Sequence, residues 1–233
     1  NITSVTMDDM EVTRYGNEET GETFNASDYA FGSTYSINLT DRFSVGFNGK
    51  YIQQTISNSH AKGFALDIGT LFMTPFGFKL GTSISNFGQK LKMTDDDLLV
   101  GADVDENIDG NNESVTSVLS TDYFDLPLVL RIGLSSALDL GGSNQFTWSL
   151  DAISPNDNNN YINAGASFNI SDELLSFYAG YSSLFLENKE RELAIGISLK
   201  VPRIFNNSLK IYYTYETMKF LGNNQQLAIS FNY

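Results

Sequence analysis

The 233-residue sequence contains no cysteine and no long uninterrupted run of apolar residues. The absence of cysteine excludes disulfide frameworks, thiolate metal sites and cysteine nucleophiles. No apolar run approaches the roughly 18 residues that a transmembrane helix needs, so the sequence excludes a helical membrane protein. A transmembrane β-barrel stays compatible, because its strands need only about ten residues of alternating polarity.

Basic residues are scarce: 14 Lys and Arg stand against 28 Asp and Glu, a net charge of −14. This balance argues against a binder of nucleic acid or of anionic lipid surfaces. The negative charge is concentrated, since residues 8–28 carry seven acids and one base and residues 88–123 carry nine acids and two bases. These two segments contribute −6 and −7, or −13 of the −14.

From Tyr29 onward every second residue tends to be apolar, which is the two-residue period of strands with one apolar face. We call the alternate positions that carry this face the apolar parity. The pattern predicts eleven strands, at residues 29–39, 43–51, 64–72, 76–84, 126–134, 146–150, 162–170, 175–181, 193–201, 209–215 and 227–233. A twelfth is predicted between Ile2 and Thr13, where Asp8, Asp9 and Glu11 interrupt the apolar parity. The fold class is therefore all-β.

Charged residues inside these strands, or directly after their last apolar residue, all lie opposite the apolar parity. They are Lys50, Asp67, Lys79, Arg131, Asp151, Lys200, Lys210 and Glu216. One face therefore excludes charge, as on the lipid-facing side of a barrel, and the eight residues are predicted to face the lumen, where opposite signs can pair. A soluble sandwich or barrel predicts the same exclusion and stays an alternative.

Three features favour a transmembrane antiparallel up-and-down β-barrel over a soluble one. The parity opposite the apolar one is mostly Gly, Ala, Ser, Thr and Asn. Short connections at 40–42, 73–75, 139–144 and 171–173 alternate with longer ones at 53–62, 88–123, 154–160 and 185–191, as in outer-membrane barrels. The last predicted strand ends on Phe231 and Tyr233, and a periplasmic end there places the acidic 88–123 connection outside the cell.

Candidate sites are few. Asp105, Asn107 and Asp109 before Gly110 match the first half of a calcium loop. Thr116 stands where the bidentate acid is needed, so a solvated acidic loop is the alternative interpretation. His60, the only histidine, shows no paired base or nucleophile in the sequence, and Asp67 and Asp151 suit barrel packing better than acid–base catalysis. The sequence predicts neither an enzyme nor a cofactor beyond possible Ca²⁺.

Several motifs with fixed order and spacing resemble the PorV/PorQ family, relatives of the FadL-type barrels. The motifs are Leu39-Thr40-Asp41-Arg42-Phe43-Ser44-Val45-Gly46, Lys50-Tyr51-Ile52, Ala65-Leu66-Asp67-Ile68-Gly69, Leu80-Gly81 with Ile84-Ser85-Asn86-Phe87-Gly88, Leu126-Pro127, Asp151-Ala152 with Pro155-Asn156-Asp157-Asn158, and Ala179-Gly180-Tyr181. The resemblance implies a 14-stranded barrel. With 11 or 12 strands counted in residues 1–233, and no signal peptide at Asn1–Thr6, we expect the N-terminal strands to be missing from this single domain.

The resemblance also implies a function in type IX secretion at the bacterial outer membrane. There, barrels of this family associate with the translocon, receive cargo by its C-terminal signal domain and pass it to the surface. We expect the 88–123 connection to be the contacting surface and outer-membrane lipid to surround the barrel. Two alternatives stay open: a FadL-like channel for hydrophobic small molecules, and a structural surface barrel.

Overall fold

The structure, a computed structural model, describes residues 1–16, 20–103, 115–187, 189–204, 207–220 and 222–232. In this part of the chain the regular elements are strands and a single 3₁₀ turn at Asp96–Leu98, which confirms the all-β prediction. The strands are β1 (Ile2–Thr6), β2 (Met10–Glu11), β3 (Thr23–Phe24), β4 (Ala26–Thr40), β5 (Phe43–Ile56), β6 (Ser59–Met73), β7 (Phe78–Gly88), β8 (Thr94–Asp95), β9 (Leu99–Ala102), β10 (Val115–Val118), β11 (Val129–Gly141), β12 (Asn144–Pro155), β13 (Tyr161–Ile170), β14 (Leu175–Leu184), β15 (Arg191–Ile204), β16 (Asn207–Met218) and β17 (Asn224–Asn232).

The main sheet is antiparallel and up-and-down. Its order is β1-β4-β5-β6-β7-β11-β12-β13-β14-β15-β16-β17, and β8 pairs with β6 off this path. The path contains the eleven predicted strands and, as β1, the predicted twelfth. Two small hairpins, β2–β3 and β9–β10, form separate two-stranded sheets. The two-residue period of the sequence thus identifies the strands of the main sheet, which lie in the order of the chain.

The connection between β5 and β6 was predicted to be long, at 53–62, and that prediction is wrong. β5 continues to Ile56 and β6 begins at Ser59, so only Ser57 and Asn58 form the turn, with Ser57 at φ 51°. β8 pairs with the start of β6 at Ser59 and His60, and Ala61 of the same stretch is buried in an apolar cluster. A polar stretch of sequence therefore does not by itself indicate the end of a strand.

The chain divides into two compact units. The first consists of Asn1–Tyr35, Phe47–Ile68 and Ser85–Leu128, and the second of Ser36–Gly46, Gly69–Ile84 and Val129–Tyr233. The first unit has a small apolar core of Ala61, Ala65, Leu91 and Leu126, against which Ile52 and Met93 pack. Leu91 lies over Gly63, where any Cβ would overlap its side chain. The sequence Ala-x-Gly-x-Ala on one face of β6 therefore makes room for Leu91.

The second unit exposes large apolar side chains and buries small polar ones. On β15 the alternate residues Leu193, Ile195, Ile197 and Leu199 are between 40% and 50% exposed, whereas Ser198 between the last two is 1% exposed. Ser136, Ser176 and Lys210 are also buried. Water-soluble proteins normally bury their large aliphatic side chains and leave polar ones outside. In these strands the large apolar side chains form the exposed face.

Candidate functional site

Among the described residues, the Asp67 carboxylate is a highly connected polar group on the face of β6 opposite Leu66 and Ile68. It accepts hydrogen bonds from the Asn86 backbone N–H at 2.8 Å and from the Asn48 Nδ2 at 2.9 Å. The Lys50 Nζ lies 2.7 Å away and completes an ion pair. β5, β6 and β7 therefore place one base, one acid and two amides together, as the parity of the sequence predicts for Lys50 and Asp67.

Asn86 connects this cluster to the chain that precedes β11. Its backbone is left-handed, with φ 61°, a conformation in which Asn is enriched among non-glycine residues. Its side-chain oxygen accepts a hydrogen bond from the Lys50 Nζ, and its Nδ2 donates to the Pro127 carbonyl at 2.8 Å. All groups of the cluster are satisfied, so its role is positional: it fixes the ends of the long connection between β7 and β11.

That connection folds onto the face of β6 that carries Asp67. We call its described parts, residues 89–103 and 115–126, the covering segment. Leu91 and Phe124 exchange two backbone hydrogen bonds of 2.9 Å. The Thr121 Oγ1 donates to the Met93 carbonyl at 2.8 Å, and Lys90 pairs with Asp125 at 3.0 Å. The two ends of the predicted acidic loop are thus joined to each other and packed on the sheet.

The covering segment also holds the β5–β6 turn. β8 pairs with the start of β6, with Ser59 opposite Asp95, and the His60 Nδ1 contacts the Asp95 carboxylate. Asn58 donates its backbone N–H at 2.7 Å and its Nδ2 at 2.9 Å to Asp97. These hydrogen bonds from Asn58 hold the pKa of the Asp97 carboxyl below its usual value. No pattern in the sequence indicates the His60–Asp95 pair, because its members are 35 positions apart in different elements.

A second charged cluster lies at the turn between β13 and β14. Lys200 and Lys210 stand directly opposite each other on β15 and β16. The Glu173 carboxylate lies 3.0 Å from the Lys210 Nζ, and the Lys200 Nζ donates to the Asp172 carbonyl at 3.4 Å. Like charges facing each other across a sheet are unfavourable. The acidic turn supplies the compensating groups.

The backbone of this turn is unusual. Ser171, Asp172 and Glu173 are all left-handed, with φ of 50°, 56° and 66°. The Asp172 N–H donates to the Ser143 carbonyl at 3.0 Å, which ties the turn to the neighbouring β11–β12 turn. Three successive left-handed non-glycine residues are unfavourable by roughly 1–2 kcal/mol each. The contacts to Ser143, Lys200 and Lys210 offset that cost.

The other predicted lumen charges do not pair with one another. Glu216 lies 3.8 Å from Arg191, and Asp151 occupies the space above Gly133, where a Cβ would overlap its carboxylate. Lys79 and Arg131 are exposed, with no ion pair to a described residue. Of the eight predicted charges, only Lys50 and Asp67 form an ion pair with each other among the described residues. The alternation of the sequence predicts the face of the strand on which each of these side chains lies, but not the residue with which it pairs.

The predicted cation ligands Asp105, Asn107 and Asp109 lie outside the described residues, as does the C-terminal Tyr233. Within the described ranges no group of three or more His, Cys, Asp or Glu side chains could hold a metal ion. The calcium site therefore stays a prediction of the sequence.

No helix in the described part of the chain is long and apolar enough to cross a membrane. A scan against protein-family models finds no match. A search of curated proteins also finds none. The class of protein that can be stated from the fold is an all-β chain built on one antiparallel up-and-down sheet.

Proposed function

We propose that this chain is the wall of an outer-membrane β-barrel that acts, like PorV, as a non-catalytic component of type IX secretion. In this role it binds the C-terminal domains of cargo, the translocon, or both, and passes cargo to the surface. The observation that carries the membrane location is the exposed apolar face of the strands, described above for β15.

This face extends over neighbouring strands of the second unit. Leu227, Ile229 and Phe231 on β17 are 57–70% exposed, and Leu130, Ile132 and Leu134 on β11 repeat the pattern. Monomeric soluble proteins rarely expose contiguous apolar patches larger than a few hundred Å². In a bilayer such a patch is removed from water, which stabilises the protein by about 25 cal/mol per Å² of apolar surface.

The order of the sheet supports the same proposal. Consecutive strands of the path lie side by side. Short connections such as Asp41–Arg42 join most of them, and the longest connection, residues 89–128, joins β7 to β11. In hydrocarbon each unsatisfied backbone group costs several kcal/mol, so the outermost strands β1 and β17 need partners there. Closure of the sheet into a barrel supplies those partners, and the resemblance to a 14-stranded family sets the expected size.

The surface proposed to bind protein is the β9–β10 hairpin of the covering segment. Leu99, Val118 and Leu119 are 47%, 66% and 53% exposed, on a hairpin paired with no other described strand. Residues 88–123 carry nine acids against two bases. Exposed aliphatic groups within negative charge match a partner that presents apolar and basic groups together.

We predict that Val118→Asp removes a protein partner that copurifies with the wild-type chain. The variant replaces an exposed apolar side chain with a hydrated carboxylate, so recovery of the partner should fall at least about tenfold, which corresponds to 1.4 kcal/mol. The measurement is mass spectrometry of complexes isolated in mild detergent from the native membrane. Thr116→Asp adds the same charge on the same strand without removing an apolar group, and it should retain most of the partner.

The identity of the copurified protein decides the rest of the proposal. A large outer-membrane barrel, or proteins that share a C-terminal signal domain, would support the secretion role. Recovery of the chain alone with bound fatty acid would contradict it and favour the transporter, whereas equal loss with Val118→Asp and Thr116→Asp would contradict the hairpin as the binding surface.

Membrane location has its own test in Trp148, the single tryptophan. Trp148 lies on the apolar parity of β12, and its ring centroid is 6.1 Å from that of Phe78. In vesicles whose acyl chains carry bromine, we expect its fluorescence to fall more than twofold relative to vesicles without bromine. Aqueous iodide should have little effect. Quenching by iodide but not by bromine would show that this face meets water.

A further inference from the structure

A hollow interrupts the apolar face of the second unit near the long-connection ends of β11, β12 and β13. Ile132, Ala152 and Ile162 are directly opposite one another across the three strands. The single methyl group of Ala152 lies between two large side chains, whereas the next row toward the short connections pairs Leu134 with Leu150. Leu130 and Phe185 complete a cavity of about 340 Å³.

Phe185 is held above this hollow by an uncommon backbone. Its φ is 70° and that of Ser183 is 57°, so β14 ends in two left-handed non-glycine residues. For a bulky residue this conformation is a genuine outlier. The Leu186 N–H closes the turn by donating to the Ser183 carbonyl at 3.2 Å. The ring of Phe185 stays 84% exposed, so burial within the chain does not account for its position.

A cation contacts the apolar parity of β14, the strand that pairs with β13 next to the hollow. The Lys189 Nζ donates to the Tyr181 hydroxyl at 2.5 Å and lies 4.6 Å from the centroid of that ring. Tyr181 is opposite Ala164, two residues along β13 from Ile162. The hydrogen bond to Tyr181 raises the pKa of the Lys189 ammonium, which therefore stays charged. Glu192 at 3.4 Å is 45% exposed and neutralises it only in part, because such surface pairs are weak.

Most of the net acidity of the chain lies in other parts of the sequence, and residues 185–192 carry three acids and two bases. Residues 8–28 and 88–123 carry −13 of the net −14, so the remainder of the sequence carries −1. A hydrocarbon hollow and a charged lysine match an amphiphile with an apolar chain and a negative head group.

We propose that the hollow binds one acyl chain of a phosphate-bearing membrane lipid, with the phosphate at Lys189. This inference rests on the proposed membrane location. The cavity volume lies at the low end of the roughly 300–1,000 Å³ range of ligand sites and accommodates one chain. A protein partner would need an interface of about 800 Å² on each side, far more than this hollow offers.

The acyl-chain site is tested by native mass spectrometry of protein refolded into vesicles of phosphatidylglycerol and phosphatidylethanolamine and then extracted in mild detergent. The wild-type chain should retain one phospholipid. Ala152→Phe fills the hollow and should lower the retained fraction about tenfold. Ala179→Phe places the same ring at another exposed alanine of the apolar face and should leave it unchanged. Equal retention by the two variants, or no retention by the wild type, would overturn the proposal.

The head-group contact is tested with Lys189→Gln. This variant should retain less phosphatidylglycerol but as much phosphate-free diacylglycerol as the wild type, and Lys219→Gln serves as its control. Loss of both lipids, or of neither, would refute the role of Lys189. Bromine quenching of Trp148 is measured on the same samples. If Trp148 is quenched and lipid retention is insensitive to Ala152→Phe, the lipid site fails while the membrane location stands.

Discussion

The Asp67→Leu variant is expected to unfold with a free energy about 2–3 kcal/mol lower than that of the wild type. The substitution leaves the Lys50 ammonium without its ion-pair partner and the Asn48 amide and Asn86 N–H without their acceptor. Both charged side chains are partly exposed, at 16% for Lys50 and 24% for Asp67, so the cost stays below that of a fully buried pair. Urea unfolding at equilibrium in lipid vesicles measures the difference.

A double-mutant cycle separates the ion pair from the rest of the cluster. Lys50→Met combined with Asp67→Leu removes both charges, and we expect it to recover more than half of the loss caused by Asp67→Leu alone. Lys79→Met is the matched control, since Lys79 lies on the same parity of β7 with no ion pair to a described residue. If Lys50→Met and Asp67→Leu prove additive, the pair contributes no coupling and the structural role given to it is refuted.

The Gly88→Ala variant is expected to lower the free energy of unfolding by about 1–3 kcal/mol. A Cβ at this position would overlap the Phe64 carbonyl oxygen and lie 3.0 Å from the Ala65 Cα, and backbone atoms cannot turn away as a side chain can. β7 would have to move away from β6 just where the covering segment begins. The measurement is the urea midpoint in vesicles.

Gly81→Ala provides the comparison within the same strand. A Cβ at Gly81 would have the Thr70 carbonyl oxygen as its nearest neighbour, at an ordinary 3.9 Å. We expect this variant to match the wild type within about 0.5 kcal/mol. Equal destabilisation by both substitutions would show that replacing any glycine of this strand lowers the free energy of unfolding. The close approach of β6 to Gly88 would then not be the cause.

The sequence predicted the sheet well because the alternation of polarity that identifies a strand is a local property of the sequence. Alternation along β11 to β17 identifies each strand and the face on which Arg131 or Lys200 lies, since successive side chains of a strand point to opposite faces. The missed turn at Ser57–Asn58 shows the limit of this reasoning. Where a strand leaves its apolar surroundings the alternation of polarity weakens, although the hydrogen-bonded ladder continues.

The partners of the predicted site residues could not be obtained in this way. Leu91 packs on β6 about 30 positions away, and its acceptor surface, Ala61-x-Gly63-x-Ala65, consists of the same small residues that line a polar face elsewhere. Glu173 reaches Lys210 because three left-handed residues bend its turn. The sequence Ser-Asp-Glu does not predict this backbone conformation. Periodicity gives the face of a side chain, whereas its partner depends on the path of the intervening chain.

The junction of Leu91 with Phe124 has a consequence for how this chain can diversify. The two ends of the covering segment already bond to each other beside the sheet, and β9 and β10 pair with each other in a separate two-stranded sheet. The length of the sequence between β9 and β10 is therefore not set by the strands of the main sheet. For a flexible loop, each doubling of length costs only about 0.6 kcal/mol. Inserts of different size and charge can therefore be exchanged between β9 and β10 while the pairing of Leu91 with Phe124 and of β8 with β6 is kept.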